Sequence, residues 1–325
     1  MISMKKVIDN KRLMLKVCDL FYNHDETQQT IAKQLSISRP TVAKILEQAR
    51  ATQMVRIIIP DLAEDSYFEM ERKLELMYGL KEAIIVEEKK DLYAQKDEVG
   101  KAAAEYLERL VKDGKNIGVS MGTTLGHIAK YIQPKVVKNA MFIPLVGGIG
   151  QVGMELHSNY LVEELANAFK AQYILLHAPA KVSKKSIKEG LIGEAYIEKI
   201  IKLTNKLDVA LVGLGVPTRN STTMATGYYD EREMELMRKK NVAGDICMNF
   251  FDSAGRTEQF EMNETVIGID IKKLKSVKDS IGVTCGAEKV SAIRGAIAGQ
   301  YINVLITDAG CARKLIEERE VEEKS

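Results

Sequence analysis

Several features that would place this chain in familiar classes are missing. No apolar run approaches the roughly 20 residues a membrane-spanning helix needs, and Met1 to Asn10 is too polar for a secretory signal. Only four cysteines occur in 325 residues. Cys18, Cys247, Cys285 and Cys311 are scattered without metal-ligand spacing, so reduced thiols in a cytoplasm are expected and no metal site is. The net charge is only +2, which excludes a polycation; affinity for a polyanion must come from a local patch. Low-complexity sequence is absent, and only Glu317 to Ser325 reads as a charged, frayed tail. What remains is length enough for two or three domains with a substantial core.

The N-terminal part has the pattern of a helix-turn-helix. Ile31 and Leu35 share one helix face, and Val42, Ile45, Leu46 and Ala49 form a second beyond a short break that Ile37 can plug. Thr27 is the expected N-cap of the first helix, with Gln28 and Gln29 in its first turn. Ser38 is the expected N-cap of the second, and Pro40 falls in the first turn, where a missing N–H costs little. The turn position held by Ser36 favours a left-handed backbone, for which glycine is the least strained residue. A preceding helix, about 10–23, carries Leu13, Val17, Leu20 and Phe21 as a brace. This places Ser38, Arg39, Thr41 and Lys44 at or near the start of the second helix, whose N-terminal residues meet base edges in the major groove. Arg39 suits guanine, Ser38 and Thr41 suit bases or phosphates, and Lys33, Lys44, Arg50 and Arg56 supply phosphate charge. Gln28, Gln29, Ser38, Arg39, Thr41 and Lys44 are the expected DNA-binding residues.

Residues 55–60 read as a strand closing this first domain, and 61–78 as a helix that could join domains and pair subunits. Residues 1–60 and 61–325 are the expected domains. From Lys81 onward short apolar strands alternate with helical patterns. The strands are expected at 81–86, 117–119, 140–145, 173–177, 209–212, 266–269, 281–284 and 304–307. The intervening helices are expected at 94–111, 125–132, 157–169, 194–203, 230–239, 288–298 and 309–318. Such alternation implies an α/β fold with a mainly parallel sheet, whose ligands collect at the carboxyl ends of strands.

The segments after those strands are rich in groups that suit a polar ligand. Ser120-Met-Gly-Thr-Thr-Leu125, opening a helix, offers Gly122, Thr123 and Thr124 to an anion, or is an N-capped turn. Val146-Gly-Gly-Ile-Gly150 lets Gly147 and Gly148 approach a ligand or another chain closely. His157 and Asn159 could bond sugar hydroxyls, or cap a helix. Gly213-Leu-Gly-Val-Pro217 is a second backbone-close loop. Asp245 could accept from hydroxyls, or cap a turn. Glu288 and Lys289 stand at a helix start, where a lysine opposes the helix dipole; an anionic partner would explain it, and so would simple exposure. Together these loops suit a phosphorylated sugar or polyol.

The same residues carry a family resemblance over almost the whole chain. Thr27-Gln-Gln with Ile37-Ser-Arg-Pro-Thr-Val, Gly118-Val-Ser-Met-Gly-Thr-Thr, Pro144-Leu-Val-Gly-Gly-Ile, Gly244-Asp-Ile with Phe250-Phe-Asp, and Lys289-Val-Ser-Ala-Ile with Asn303-Val-Leu-Ile-Thr-Asp308 resemble the SorC-type sugar-binding transcriptional regulators. The resemblance implies an effector domain of the sugar-phosphate isomerase and deaminase type. It also implies a homo-oligomer, commonly a tetramer, on a palindromic operator of double-stranded DNA, and control of a carbohydrate operon by a sugar or sugar phosphate. It places Thr123 and Thr124 in a phosphate loop and Lys289 where a basic residue helps hold the effector. One departure is Val146, where some members carry arginine or lysine before the paired glycines.

The function expected is therefore an effector-controlled DNA-binding regulator, with no cofactor and no membrane partner. The alternative is a sugar-phosphate isomerase or deaminase fused to a DNA-binding head, with Asp245, Glu288 or His157 as acid or base. No pair of carboxylates has a recognisable catalytic spacing, and Cys285 has no identified histidine partner, so no catalytic residue is assigned.

Overall fold

Local caps and apolar spacing define the N-terminal helices in the computed structural model, which describes residues 11–57, 67–150, 152–218 and 221–324. The chain divides into two compact units, Met1–Glu64 and Asp65–Ser325. In the first, α1 (Lys11–Tyr22), α2 (Gln28–Gln34) and α3 (Arg39–Ala51) surround a core that includes Val17, Ile31, Val42, Ile45 and Ala49. The Thr30 N–H donates to Thr27 Oγ1 at 3.2 Å, and the Thr41 N–H donates to Ser38 Oγ at 3.2 Å. Each capped helix therefore starts where its side-chain acceptor stands. Ser36 has φ of +54°, the left-handed conformation expected of that turn. The Ile37 N–H then donates to Ala32 O at 3.0 Å, closing the end of α2. Val55–Ile57 is not a strand; Met54 and Val55 pack against the helical core instead. The remainder of that expected strand lies outside the described residues, as does the first part of the helix expected from residue 61.

The second unit begins with α4 (Phe68–Tyr78), followed by β1 (Glu82–Val86) and α5 (Leu92–Leu110). Then come β2 (Asn116–Val119), β3 (Met141–Pro144), α6 (Ser158–Ala168) and β4 (Gln172–Tyr173). Helices α7 (Lys185–Gly193) and α8 (Ala195–Leu203) lead to β5 (Val209–Gly213). A short α9 (Thr222–Ala225) and α10 (Glu231–Lys239) precede the hairpin of β6 (Val242–Ile246) and β7 (Asn249–Asp252). The chain ends with β8 (Asp279–Val283), α11 (Val290–Ala298), β9 (Val304–Asp308) and α12 (Ala309–Glu323).

Seven strands form one parallel sheet in the order β1-β9-β8-β5-β2-β3-β4. Strands β8 and β9 are buried along their whole length, as central strands covered on both faces must be. Strands β2, β3 and β4 run outward in one direction, while β5, β8 and β9 run outward in the other. The order reverses between β2 and β5, which opens a crevice above their carboxyl ends.

Three expected elements differ. Residues 266–269 form no strand: the run crosses between two loops, with the Ile267 N–H donating to Ala180 O at 2.8 Å and the Ile269 N–H to Leu145 O at 2.8 Å. A short buried apolar run satisfies its backbone either way, so periodicity does not separate the two. The helix expected over 125–132 is two 3₁₀ turns, Leu125–His127 and Ala129–Tyr131. The expected strand at 173–177 pairs only through Gln172 and Tyr173. The tail from Glu317 also differs, because α12 continues to Glu323. Arg294 holds Glu318 at 3.0 Å and also pairs with Glu322, and Lys73 pairs with Glu320.

Candidate functional site

The crevice at the strand-order reversal is a cleft of about 290 Å³. Loops after β2, β5 and β8 form its walls, and the β6–β7 hairpin closes its floor. The loop after β2 turns at Gly122, whose φ of +141° only glycine adopts without strain. Thr123 and Thr124 then line the cleft half-buried, and their hydroxyls have no partner among the described residues. This loop opens 3₁₀ turns, not an α-helix, so a full helix dipole does not reinforce it. It is fastened from behind. Asp97 of α5 accepts from His127 at 3.0 Å, and from Lys130 and Tyr131. Those three partners, His127 first, hold the Asp97 carboxyl well below the usual carboxylate range. The His127 N–H in turn donates to Thr124 O at 3.2 Å.

The floor presents Asp245, only 2% exposed. Its carboxylate accepts from the Thr223 hydroxyl at 3.2 and 3.3 Å. Burial pushes the Asp245 carboxyl up to about 6, against the opposing influence of the Lys289 ammonium, the Thr223 hydroxyl and the Met248 N–H. The two turn residues of the hairpin, Cys247 and Met248, have φ of +50° and +61°. Positive φ at both positions marks a type I′ two-residue hairpin, where Asn-Gly is the usual choice. Strain of this kind persists only where surrounding packing enforces it, and Met248 is fully buried. A Cβ at Gly215 would lie 2.1 Å from Asp245 Oδ1, and one at Gly244 would lie 2.4 Å from Ala292 Cβ. These glycines let the hairpin sit between the β5 loop and α11.

From the β8 loop come Thr284, Cys285, Glu288 and Lys289. Burial pushes the Cys285 thiol up to about 11 and drives the Cys247 thiol higher still, so both are neutral and poor nucleophiles. Among the described residues no group of three or more His, Cys, Asp or Glu side chains is placed to hold a metal ion. No described helix is long and apolar enough to cross a membrane.

Of the residues expected from sequence, Gly122, Thr123, Thr124, Asp245, Glu288 and Lys289 meet in this cleft. Four do not line it. Asn159 spends both ends of its amide on Leu176, accepting from its N–H at 2.9 Å and donating to its carbonyl at 3.1 Å. His157 is the N-cap of α6 through its backbone. Gly147 is a close backbone approach, since a Cβ there would lie 2.5 Å from Ala178 O, and Gly148 bridges Pro179. Sequence reasoning missed Lys96 of α5 and Ser221, Thr222 and Thr223, which also line the cleft.

On the N-terminal unit, Ser38, Arg39 and Lys44 are exposed, and Gln28, Gln29 and Arg39 line one shallow groove. Thr41 is a correction. It is 6% exposed, and its hydroxyl lies 2.7 Å from Ser38 Oγ. Packing turns its hydroxyl toward the Ser38 cap, so it does not stand exposed as the other expected residues of this helix do.

A helix-turn-helix unit and a parallel α/β unit with a polar cleft at its switch point define a ligand-responsive transcription regulator. The chain belongs to the SorC-type sugar-binding transcriptional regulators. Residues 64–317 match the family model described as "Putative sugar-binding domain". The chain is 35% identical over 311 residues to the deoxyribonucleoside regulator of Bacillus subtilis, covering 95% of this chain and 99% of that one. It is 32% identical over 317 residues to the sorbitol operon regulator of Klebsiella pneumoniae, with the same coverage. The crystal structure of the full-length SorC regulator from Klebsiella pneumoniae superposes with a TM-score of 0.74 at 32% identity, covering 95% of this chain and 99% of that chain.

Proposed function

We propose that this regulator controls a carbohydrate catabolic operon and that a sugar phosphate or polyol phosphate in the cleft sets its operator affinity. The carrying observation is the pairing, within one cleft, of unengaged Thr123 and Thr124 hydroxyls and Lys289 with the buried Asp245–Thr223 acceptor pair. The first set suits an anion and the second suits sugar hydroxyls. Gly122, Thr123, Thr124, Asp245, Glu288 and Lys289 form the effector site. The names of the relatives, which concern a deoxyribonucleoside and sorbitol, make pentose and hexitol derivatives the first compounds to try.

Residues 1–60 read the operator through Gln28, Gln29, Ser38, Arg39 and Lys44, and residues 61–325 sense the effector and assemble the oligomer. A tetramer on a palindromic operator matches helix-turn-helix geometry, in which paired half-sites mirror protein symmetry. The protein acts in the cytoplasm and catalyses no reaction on its effector. Two features support that: the relatives named above are regulators, and His157, one of the acid–base candidates, does not line the cleft. The test is a thermal-shift screen against sugars, polyols and their phosphates, followed by product assays. A ligand of the native state raises Tm by linkage. No response to any compound, or turnover of a compound that binds, contradicts this reading.

A further inference from the structure

Helix α5 adds a cation to the cleft that no motif announced. Leu92 and Lys96, four residues apart and so on one helix face, both line the cavity. Leu92 is 57% exposed at its mouth. Lys96 itself has no ion pair or side-chain hydrogen bond among the described residues, although the next residue, Asp97, is engaged by His127, Lys130 and Tyr131. Its ammonium is therefore unpaired in the cleft that Thr123 and Thr124 also line.

Charges of both signs line the cavity. After burial and the Asp308 carboxylate, the strongest influence on the Cys285 thiol is Lys96; Glu288 and Lys289 follow. Lys289 also acts on Asp245, whereas Lys96 is not among the groups that influence that carboxylate. Lys96, Lys289 and the two threonines line the cleft whose floor carries Asp245 with Thr223. A phosphate dianion is repelled by the Asp245 and Glu288 carboxylates and attracted by the Lys96 and Lys289 ammonium groups.

We propose that Lys96 is an anion-binding residue of the effector cleft, holding with Thr123 and Thr124 the phosphate of a sugar phosphate whose hydroxyl-bearing end lies against Asp245 and Thr223. This rests on the reading of the cleft as an effector site. It assigns effector polarity and makes Lys96 a determinant of selection for phosphorylated over free sugars.

The test uses the full chain and inorganic phosphate as the probe, with chloride at matched ionic strength as control. Melting curves are recorded for the wild type, Lys96→Met and Lys96→Arg. The phosphate-free Tm and far-ultraviolet spectrum of each variant check that it folds. The expected result is a phosphate-dependent rise in wild-type Tm, with half-saturation moved about 10- to 100-fold higher in Lys96→Met and largely restored in Lys96→Arg, as loss of one charge-assisted contact implies. An equal response in the wild type and Lys96→Met overturns the proposal. So does the absence of any response in the wild type; free sugars that still raise its Tm would then leave the sugar-sensing reading standing. A Lys96-dependent phosphate response with no further rise from any sugar or sugar phosphate would instead support Lys96 and sink the sensing reading.

Discussion

Replacing Asp245 with asparagine separates what the cleft needs from what the fold prefers. The carboxyl is raised from an ordinary 3.8 to about 6, chiefly by burial. At about 1.4 kcal/mol for each tenfold change in proton affinity, keeping it ionised costs the folded chain about 3 kcal/mol. The sign follows from linkage. The folded state holds the proton more tightly than the unfolded state, so this stability is fully present below about pH 4. It is lost as pH rises through about 6, roughly half of the loss falling between pH 5 and pH 8. Asparagine keeps the shape and one acceptor for the Thr223 hydroxyl but has no charge to bury. Thr223, Lys289, Cys247 and the Met248 N–H face the group; all remain in the variant, and titration elsewhere cancels in the difference. The assay is urea unfolding of both proteins from pH 5 to pH 8. It is followed by circular dichroism, because the chain has no tryptophan. The asparagine variant is expected to gain on the wild type as pH rises and to melt higher at pH 8. Its thermal response to the effector is expected to be largely lost, a stability gain at the expense of function. Parallel curves across the pH range would refute the buried, ionised Asp245.

Three further outcomes are expected. Ser36→Gly relieves the left-handed strain of the turn and raises the stability of the N-terminal unit by about 1 kcal/mol, read as a higher unfolding midpoint. Gly147→Ala forces a methyl against the Ala178 and Pro179 carbonyls and destabilises by about 1–3 kcal/mol in denaturant titrations, with effector affinity unchanged in the surviving folded protein. Arg39→Ala weakens operator binding by about 1–3 kcal/mol and relaxes base preference at one position, which binding to a randomised set of duplexes measures.

The helix-turn-helix was legible because its determinants are local: Thr27, Ser38, Pro40 and Ser36 act on backbone groups within four residues. The parallel sheet was legible because strands such as 209–213 and 304–308 are short apolar runs between helical patterns. Residues 266–269 misled because the same composition serves a buried crossing segment. Asn159 misled because its partner, Leu176, is 17 residues away and belongs to no motif. Thr41 misled because a threonine three residues after a cap can point outward or back at it. Lys96 escaped notice because a lysine in an amphipathic helix looks like any solvated one until the β2 and β8 loops are seen beside it. Asp245 was visible as a candidate, but its burial and the strained Cys247–Met248 turn that presents it are properties of packing.

The central claim is that occupancy of the cleft changes DNA affinity. It is tested most directly by fluorescence anisotropy on an operator duplex recovered by in vitro selection, at fixed salt because phosphate contacts make affinity salt-dependent. The Kd is measured with and without a saturating compound that raises Tm. A change of about 5- to 150-fold, seen in the wild type and absent in Asp245→Asn, is the result predicted. The same Kd with the cleft empty and saturated would contradict it.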